Sequence, residues 1–261
     1  MKKLAELRLN KENVENKKFL IDADGTLWQN RWPTADGDAV TRMSKGIVQL
    51  DRSAVFQMFK NALSNAEYYK NLAEITLKSG YTLPKEHGSL TVDKKIDKVI
   101  EHIKQAQSEV MQDHYKVVKY RKWVPEVLTY LKSLGAQLAI FTNCESSIVK
   151  HAEQNPKLRF EEFYSTTFTS DMVEHKKPAP DMFDLATKHF GDNNKSNYMM
   201  IGDGEPDIKG AYDFGIESIN IQDPRSVTLE EQKRINKQAT FGVKNWGELK
   251  RHIEITECVQ L

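Results

Sequence analysis

Cysteine is scarce in this chain. Its two cysteines, Cys144 and Cys258, lie far apart and in no metal-ligand spacing. A disulfide-stapled scaffold is therefore excluded, and a reducing compartment fits. No apolar run approaches the ~20 residues that a membrane helix needs. The opening MKKLAELRLNKENVENKK is basic but carries no apolar stretch behind its charges, so it does not read as a secretory signal. The expected location is cytoplasmic. Neither sign of charge dominates: 38 basic residues face 37 acidic ones, a formal net charge of +1. That balance removes the general electrostatic case for a nucleic acid or an anionic membrane as partner. The seven histidines form no HxxxH or HxxE cluster, which argues against zinc. GxxxxGK[ST] and GxGxxG are both missing, and GDG at 202–204 is neither.

What is present is the composition of a globular protein, 39% hydrophobic and 29% charged, long enough for one large domain or two smaller ones. The pattern is organised around FLIDADGTL at 19–27. Phe19, Leu20 and Ile21 are a short apolar run of the kind that forms a buried strand, expected over 18–23. Asp22 and Asp24 follow, one residue apart, and on a strand residues i and i+2 face the same way. Two carboxylates so placed repel and raise each other's pKa. A dication between them, or a division into nucleophile and acid, removes the objection.

Residues 1–17 read as a loose arm or a short surface helix. WQNRWPTADGD after Leu27 reads as a loop, with Pro33 discouraging regular structure at Trp32. Trp28 and Trp32 there can shield a reacting centre, stack on a ligand or pack one domain on another. From about 38 to 120 no strand pattern appears. Ser53 is placed to cap a long helix running to a break at Ser79-Gly80. A second helix is expected from Thr91, with Val92, Ile96, Val99, Ile103, Ala106 and Val110 as one stripe that packs against other helices or pairs as a heptad.

Beyond 120 helices and strands alternate. Strands are expected at about 136–142, 163–167, 198–201, 216–221 and 239–243, with helices between them and a capping box at Asn245 and Glu248. Such alternation argues an α/β fold, a doubly wound parallel sheet with helices on both faces. Ligands in these sheets bind at the carboxyl ends of the strands. Asp22 and Asp24, Thr142 and Asn143, and Asp203 and Asp207 all fall at such ends, with Lys177 in a loop that can reach them. Three hard carboxylates suit magnesium. With a lysine and a hydroxyl they make a receptor for a phosphoryl group.

DADGTL, FTN, KPAPDMF and IGDGEPDIKGA resemble, in order, the four motifs of the haloacid dehalogenase superfamily. The resemblance covers about 18–30 and 120–250. It implies a Rossmann-like catalytic core at 1–30 and 121–261 and a helical C1-type cap domain at 31–120. It implies Asp22 as the nucleophile that becomes an aspartyl phosphate, and Asp24 as general acid and base with its backbone carbonyl toward the metal. Thr142 resembles the phosphoryl-binding hydroxyl. Lys177 resembles the lysine that steadies nucleophile and phosphoryl group, although Lys176 stands where the family often has glycine. Asp203 and Asp207 resemble the Mg2+-binding acids. Asp22, Asp24, Asp203 and Asp207 are thus the expected metal set, and Thr142, Asn143 and Lys177 the substrate-binding set. Gly204 and Glu126 depart from the family pattern without removing a catalytic group.

The expected function is a magnesium-dependent phosphatase acting on a small phosphomonoester. A phosphomutase would retain the same core. A 5'-nucleotidase would use Trp28 or Trp32 against a base, and phosphonate cleavage would need a cap lysine such as Lys45, Lys60 or Lys85. The rival from another class is a non-catalytic module that binds a phosphorylated ligand, for which a nucleophile and acid pair has no use. Specificity is expected in the cap, where Arg42, Lys45, Lys85 and His87 spell no recognisable code. The substrate and the oligomeric state are not written in the sequence.

Overall fold

The computed structural model describes residues 2, 4–28, 32–87, 89–222 and 228–258. In chain order, α1 (Lys11–Val14) precedes β1 (Lys18–Ile21). Four helices follow: α2 (Trp32–Met43), α3 (Arg52–Asn61), α4 (Asn65–Lys78) and α5 (Val92–Tyr115). Next come α6 (Val124–Ser133), β2 (Gln137–Thr142), α7 (Ser146–Glu153), α8 (Phe160–Phe163) and β3 (Thr166–Thr169). Helix α9 (Asp181–Phe190), β4 (Tyr198–Gly202), α10 (Glu205–Phe214) and β5 (Glu217–Ile221) continue the alternation. Helix α11 (Leu229–Gln238), β6 (Phe241–Val243) and α12 (Trp246–Cys258) complete it. No helix among the described residues is long and apolar enough to cross a membrane.

The strands form one parallel sheet in the order β3-β2-β1-β4-β5-β6, flanked by helices. All four residues of β1 are buried, as a strand with parallel neighbours on both sides and helices over its faces requires. Leu20, Phe141, Met182, Phe183 and Met200 belong to one core cluster under the sheet. Burying each such side chain is worth about 1.5–3 kcal/mol. The register sets Ile21 beside Ile140 of β2 and Ile201 of β4. The residues just past those three positions therefore emerge together, in the crevice where the strand order reverses.

The chain divides into two compact units, residues 1–29, 118–145 and 155–261 in one, and 30–117 with 146–154 in the other. Helix α7, which the sequence places with the sheet, thus belongs with the helical unit. Ile148, Val149 and Ala152 bury its apolar side, and His151 hydrogen-bonds to Ser108 of α5 at 2.9 Å. Within the helical unit, Val55, Tyr68, Leu72, Val99 and Ile103 share a core. The stripe on α5 packs there, so the heptad alternative is not needed, and Val92 at its start is exposed. A buried polar chain crosses the same core. Tyr68 and Gln107 both donate to Asp36, and Tyr69 donates to Gln107 Oε1 at 2.7 Å.

Four other expectations need correction. The arm at 1–17 is not loose: Leu7, Leu9 and Val14 are buried, Tyr130 donates to the Leu9 carbonyl at 2.9 Å, and His252 to that of Leu7 at 2.8 Å. Helix α2 begins at Trp32 itself, because Pro33 falls in the first turn, where its missing N–H is no loss. The long helix capped by Ser53 is two helices. Asp51 caps α3, and Ser64 caps α4 by accepting the Glu67 N–H at 3.2 Å, while the Glu67 carboxylate accepts the Leu63 N–H at 2.8 Å. The strand expected at 163–167 lies at Thr166–Thr169, with α8 ahead of it. Of the loop expected after Leu27, residues 29–31 lie outside the described residues, as does the Trp32 side chain.

Candidate active site

Strand β1 stops at Ile21, and Asp22 and Asp24 follow just beyond it. Asp22 still donates its backbone N–H to the Ile201 carbonyl at 2.9 Å, which fixes it in the crevice between β1 and β4. Asp203 follows β4, and Asp207 occupies the first turn of α10, where the Gly204 N–H reaches its Oδ2 at 3.2 Å. One oxygen each of Asp22, Asp203 and Asp207 lies within 4.8 Å of the others. Two glycines make that approach feasible. A Cβ on Gly25 would sit 2.5 Å from Asp203 Oδ2, and Gly25 also has φ +96°; a Cβ on Gly202 would sit 2.4 Å from that of Asp207.

Lys177 enters from the loop before α9. Its Nζ donates to Asp22 Oδ1 at 2.9 Å, to Asp207 Oδ1 at 2.6 Å and to the Phe141 carbonyl. The geometry therefore selects Lys177 over Lys176, although both are buried. Asn143, expected to bind substrate, has its carboxamide engaged with the Lys177 backbone: Nδ2 donates to the carbonyl at 2.9 Å and Oδ1 accepts the N–H at 3.0 Å. It fastens the lysine loop to the end of β2. Thr142, the last residue of β2, is buried, and its Oγ1 accepts the Cys144 N–H at 3.1 Å, which leaves its own proton to donate.

Burial opposes the charge on Lys177, but Asp207 and Asp22 override it and push its amine up to about 12. Burial, with the Asp22 and Asp207 charges, holds Asp203 well above the carboxylate range, against the opposing pull of the Thr26 hydrogen bond and Arg121. Asp207 is likewise raised, by burial and by Asp22, with Lys177 and the Gly204 N–H acting the other way. One ammonium against three buried carboxylates leaves negative charge uncompensated at this point. A hard divalent cation fits that charge and that donor set.

Three contributors escaped the motif reading. The Thr26 hydroxyl lies 2.9 Å from Asp203 Oδ1 and 3.2 Å from Asp22 Oδ2. The Trp246 indole donates to the Thr26 carbonyl at 2.8 Å, tying α12 to the turn. Arg121 supplies a positive field at Asp203. Thr26 stood in the motif itself, four residues after Asp22; Trp246 and Arg121 carried no local signal.

Asp24 stands apart from the acidic cluster. Its Oδ1 accepts the Trp28 Nε1–H at 2.8 Å, and its Oδ2 accepts from Cys144 Sγ at 3.2 Å. Trp28 is 1% exposed and packs against Tyr120 at 6.1 Å between ring centroids. It has no open face for a base, so the stacking role considered for it is withdrawn. Of the lysines considered for phosphonate chemistry, Lys45 and Lys85 are exposed, and Lys60 is half-buried with its ammonium over Phe56. None has the desolvated setting that a Schiff-base lysine needs.

Residues 50–221 match the family described as "Haloacid dehalogenase-like hydrolase". Pyrophosphatase PpaX of Bacillus cereus (strain G9842) is 30% identical over 126 residues, 48% of this chain and 57% of that protein. Glyceraldehyde 3-phosphate phosphatase of Pyrococcus abyssi (strain GE5 / Orsay) is 32% identical over 114 residues, 42% of this chain and 47% of that protein. The chain spans about half the length of the curated relatives it matches. Among solved structures, CbbY from Rhodobacter sphaeroides in complex with phosphate has a TM-score of 0.65 at 18% identity, covering 89% of this chain and 96% of that one. A HAD hydrolase, family IA, variant 3, from Entamoeba histolytica HM-1:IMSS has a TM-score of 0.65 at 19% identity, covering 92% and 99%. These two likenesses concern the fold.

Proposed function

Because the chain belongs to the haloacid dehalogenase-like hydrolases, we propose that it is a magnesium-dependent phosphatase that cleaves a small phosphomonoester through an aspartyl phosphate. The observation that carries this reading is the Lys177 ammonium set between Asp22 and Asp207 in a buried cluster with Asp203. A phosphoryl group brings its own negative charge, and the Lys177 ammonium together with a dication on the three carboxylates would offset it.

Asp22, Asp203 and Asp207 would hold Mg2+, with the Asp24 carbonyl expected beside them. When bound, the ion neutralises phosphoryl oxygens and shields the nucleophile from its acidic neighbours. In the first step an Asp22 carboxylate oxygen attacks phosphorus as the bond to the leaving oxygen breaks. Asp24 gives its proton to that oxygen, and the alcohol departs. In the second step Asp24 takes a proton from water, the water oxygen attacks phosphorus, and the bond to Asp22 breaks, releasing phosphate. Lys177, bonded to Asp22 Oδ1, orients the nucleophile for the first step. The Thr142 hydroxyl is free to donate to the phosphoryl group.

The helical unit is proposed as a cap that selects the leaving group. In it Arg42, paired with Glu109 and Asp113 at 3.5 Å each, lines a cavity of about 440 Å3 with Asp38, Met111 and His114. The names of the curated relatives support phosphate chemistry and leave the ester unspecified. The test is release of phosphate from p-nitrophenyl phosphate with and without Mg2+, followed by acid quench and intact mass. Metal-dependent release with one added phosphoryl group on Asp22 is the expected result. Tight binding of phosphate esters without any turnover would instead favour the non-catalytic module.

A further inference from the structure

The Asp24 carboxylate is held at both oxygens by side chains from two different places in the chain. Trp28 comes from the same turn, four residues on; Cys144 comes from the loop after β2. Both donors are themselves fixed. The Trp28 backbone bridges to Asp24 on one side and Tyr120 on the other. The Cys144 N–H donates to Thr142 Oγ1 at 3.1 Å, and its carbonyl accepts from the Ser170 hydroxyl at 3.0 Å and the Ser170 N–H at 3.1 Å. Trp28 is 1% exposed and Cys144 3%, so water does not compete for either donor.

An aspartate without such partners turns easily about its terminal torsion. In a low-dielectric site it would be drawn toward Lys177 or a bound cation, and would become one more ligand in place of an acid. Proton transfer demands a set distance and direction. The two donors also differ in kind. An indole N–H only donates, so Oδ1 stays an acceptor in both halves of the reaction, whereas a thiol donates weakly and accepts weakly, so Oδ2 can carry the travelling proton.

We propose that Trp28 and Cys144 are positioning residues that hold the Asp24 carboxylate out of the acidic cluster and in the one orientation that serves both proton transfers. This rests on the reading of Asp24 as acid and base given above. In the first transfer the Oδ2 proton passes to the leaving oxygen; in the second, Oδ2 regains a proton from water. Misorienting Asp24 therefore matters most where the leaving oxygen is a poor anion, and least where it is a nitrophenolate.

The test compares wild type, Trp28→Phe, Cys144→Ala and Cys144→Ser in single turnovers of p-nitrophenyl phosphate and glycerol 2-phosphate, with the phosphoenzyme measured by mass. Trp28→Phe and Cys144→Ala are expected to lose roughly tenfold more on the alkyl ester than on the aryl ester, and to accumulate phosphoenzyme because the water step also needs Asp24. Cys144→Ser, which keeps a donor and an acceptor, is expected to recover most of the loss. Equal losses on both esters, or a serine variant no better than alanine, would mean that the pair only packs, and would overturn the proposal while the wild-type phosphoenzyme stands. A wild type that releases phosphate without any phosphoenzyme overturns the covalent reading and the clamp with it. Thermal unfolding of each variant is recorded alongside. Cys144→Ser nearly preserves volume, and Trp28→Phe, which keeps one aromatic ring, carries the ester comparison if Cys144→Ala fails to fold.

Discussion

The Lys177 ammonium sits 2.9 Å from Asp22 Oδ1, closing a contact between residues 155 apart in the chain. The bond joins the loop after β1 to the loop before α9 inside the sheet crevice. Removing the cation leaves Asp22 and Asp207 buried without their shared partner, which typically costs about 3–5 kcal/mol. Lys177→Met is expected to lower the melting temperature in metal-free buffer and to abolish turnover. Added Mg2+ is expected to restore part of the stability and none of the activity. Melting curves with and without the ion check both halves.

Asp22 and Asp24 are the same residue type with different proposed work, so equal substitutions should fail differently. Asp22→Asn is expected to reduce turnover roughly a thousandfold or more and to end phosphoenzyme formation. Asp24→Asn keeps the nucleophile. With p-nitrophenyl phosphate, which needs little protonation, it is expected to form phosphoenzyme and then stall. Rapid quench and peptide mapping distinguish the two; a phosphoryl group found on Asp24 would reverse the assignment.

Asp203 and Asp207 are raised by burial and by the Asp22 charge, a setting that a dication relieves. Asp203→Asn removes one donor and part of the repulsion. Its apparent Mg2+ affinity is expected to fall, on the order of 10–100-fold, while the metal-free protein melts no lower than wild type. Calorimetric titration of Mg2+ reads the first quantity and a thermal scan the second.

The helical unit carries its own pH response. Burial, then Asp36, raises Tyr68 far above an ordinary phenol. A folded-state pKa above the unfolded one gives stability that is fully present below about pH 10 and declines as pH rises beyond it, because only the unfolded chain sheds the proton. Tyr68→Phe is expected to be less stable at pH 8, by about 1–3 kcal/mol for the lost bond to Asp36. It should also show a shallower decline above pH 10. Tyr120, Tyr164 and Tyr198 are raised as well, so urea melts of variant and wild type at both pH values are compared by their difference.

Removing residues 30–117 tests the unit boundary. The apolar side of α7, Ile148, Val149 and Ala152, would lose the partner helix it packs on. The truncated core is therefore expected to associate unless those positions are made polar. Size-exclusion chromatography of the truncation with and without Ile148→Glu and Val149→Lys measures this.

The sheet was legible because each strand carries a short apolar run bounded by turn residues, and because Gly135, Gly191 and Gly215 mark helix ends clearly. The acids at the strand tips were legible as residue types in the right places. What escaped depends on pairing between distant segments. Leu7 and Leu9 are too few to signal burial, yet both are covered by the core. The apolar continuity of 55–73 masked the Ser64 cap, a local signal that was present and overridden. Asn143 was legible as a polar group at a strand end, but its bonds to the Lys177 backbone were not. The contacts of Trp28 and Cys144 with Asp24 join segments that no spacing rule relates.

Strand β1 lies between β2 and β4, and its Lys18 pairs with Tyr198 of β4. During synthesis β1 emerges early, and β2 and β3 can dock on one edge of it, but the other edge stays open until the chain has grown past β4. For all that interval a strand apolar from Phe19 to Ile21 presents unpaired amides and carbonyls. Asp22 is then at the rim of a half-built sheet, with neither Asp203 nor Asp207 yet made. The nascent chain thus holds Asp22, the proposed nucleophile, before the other two acids of the cluster, and the cluster is assembled late, when β4 closes the gap. Contacts of such long range also make folding slow, so this is the stage at which a chaperone or a neighbouring nascent chain would find the protein most adhesive.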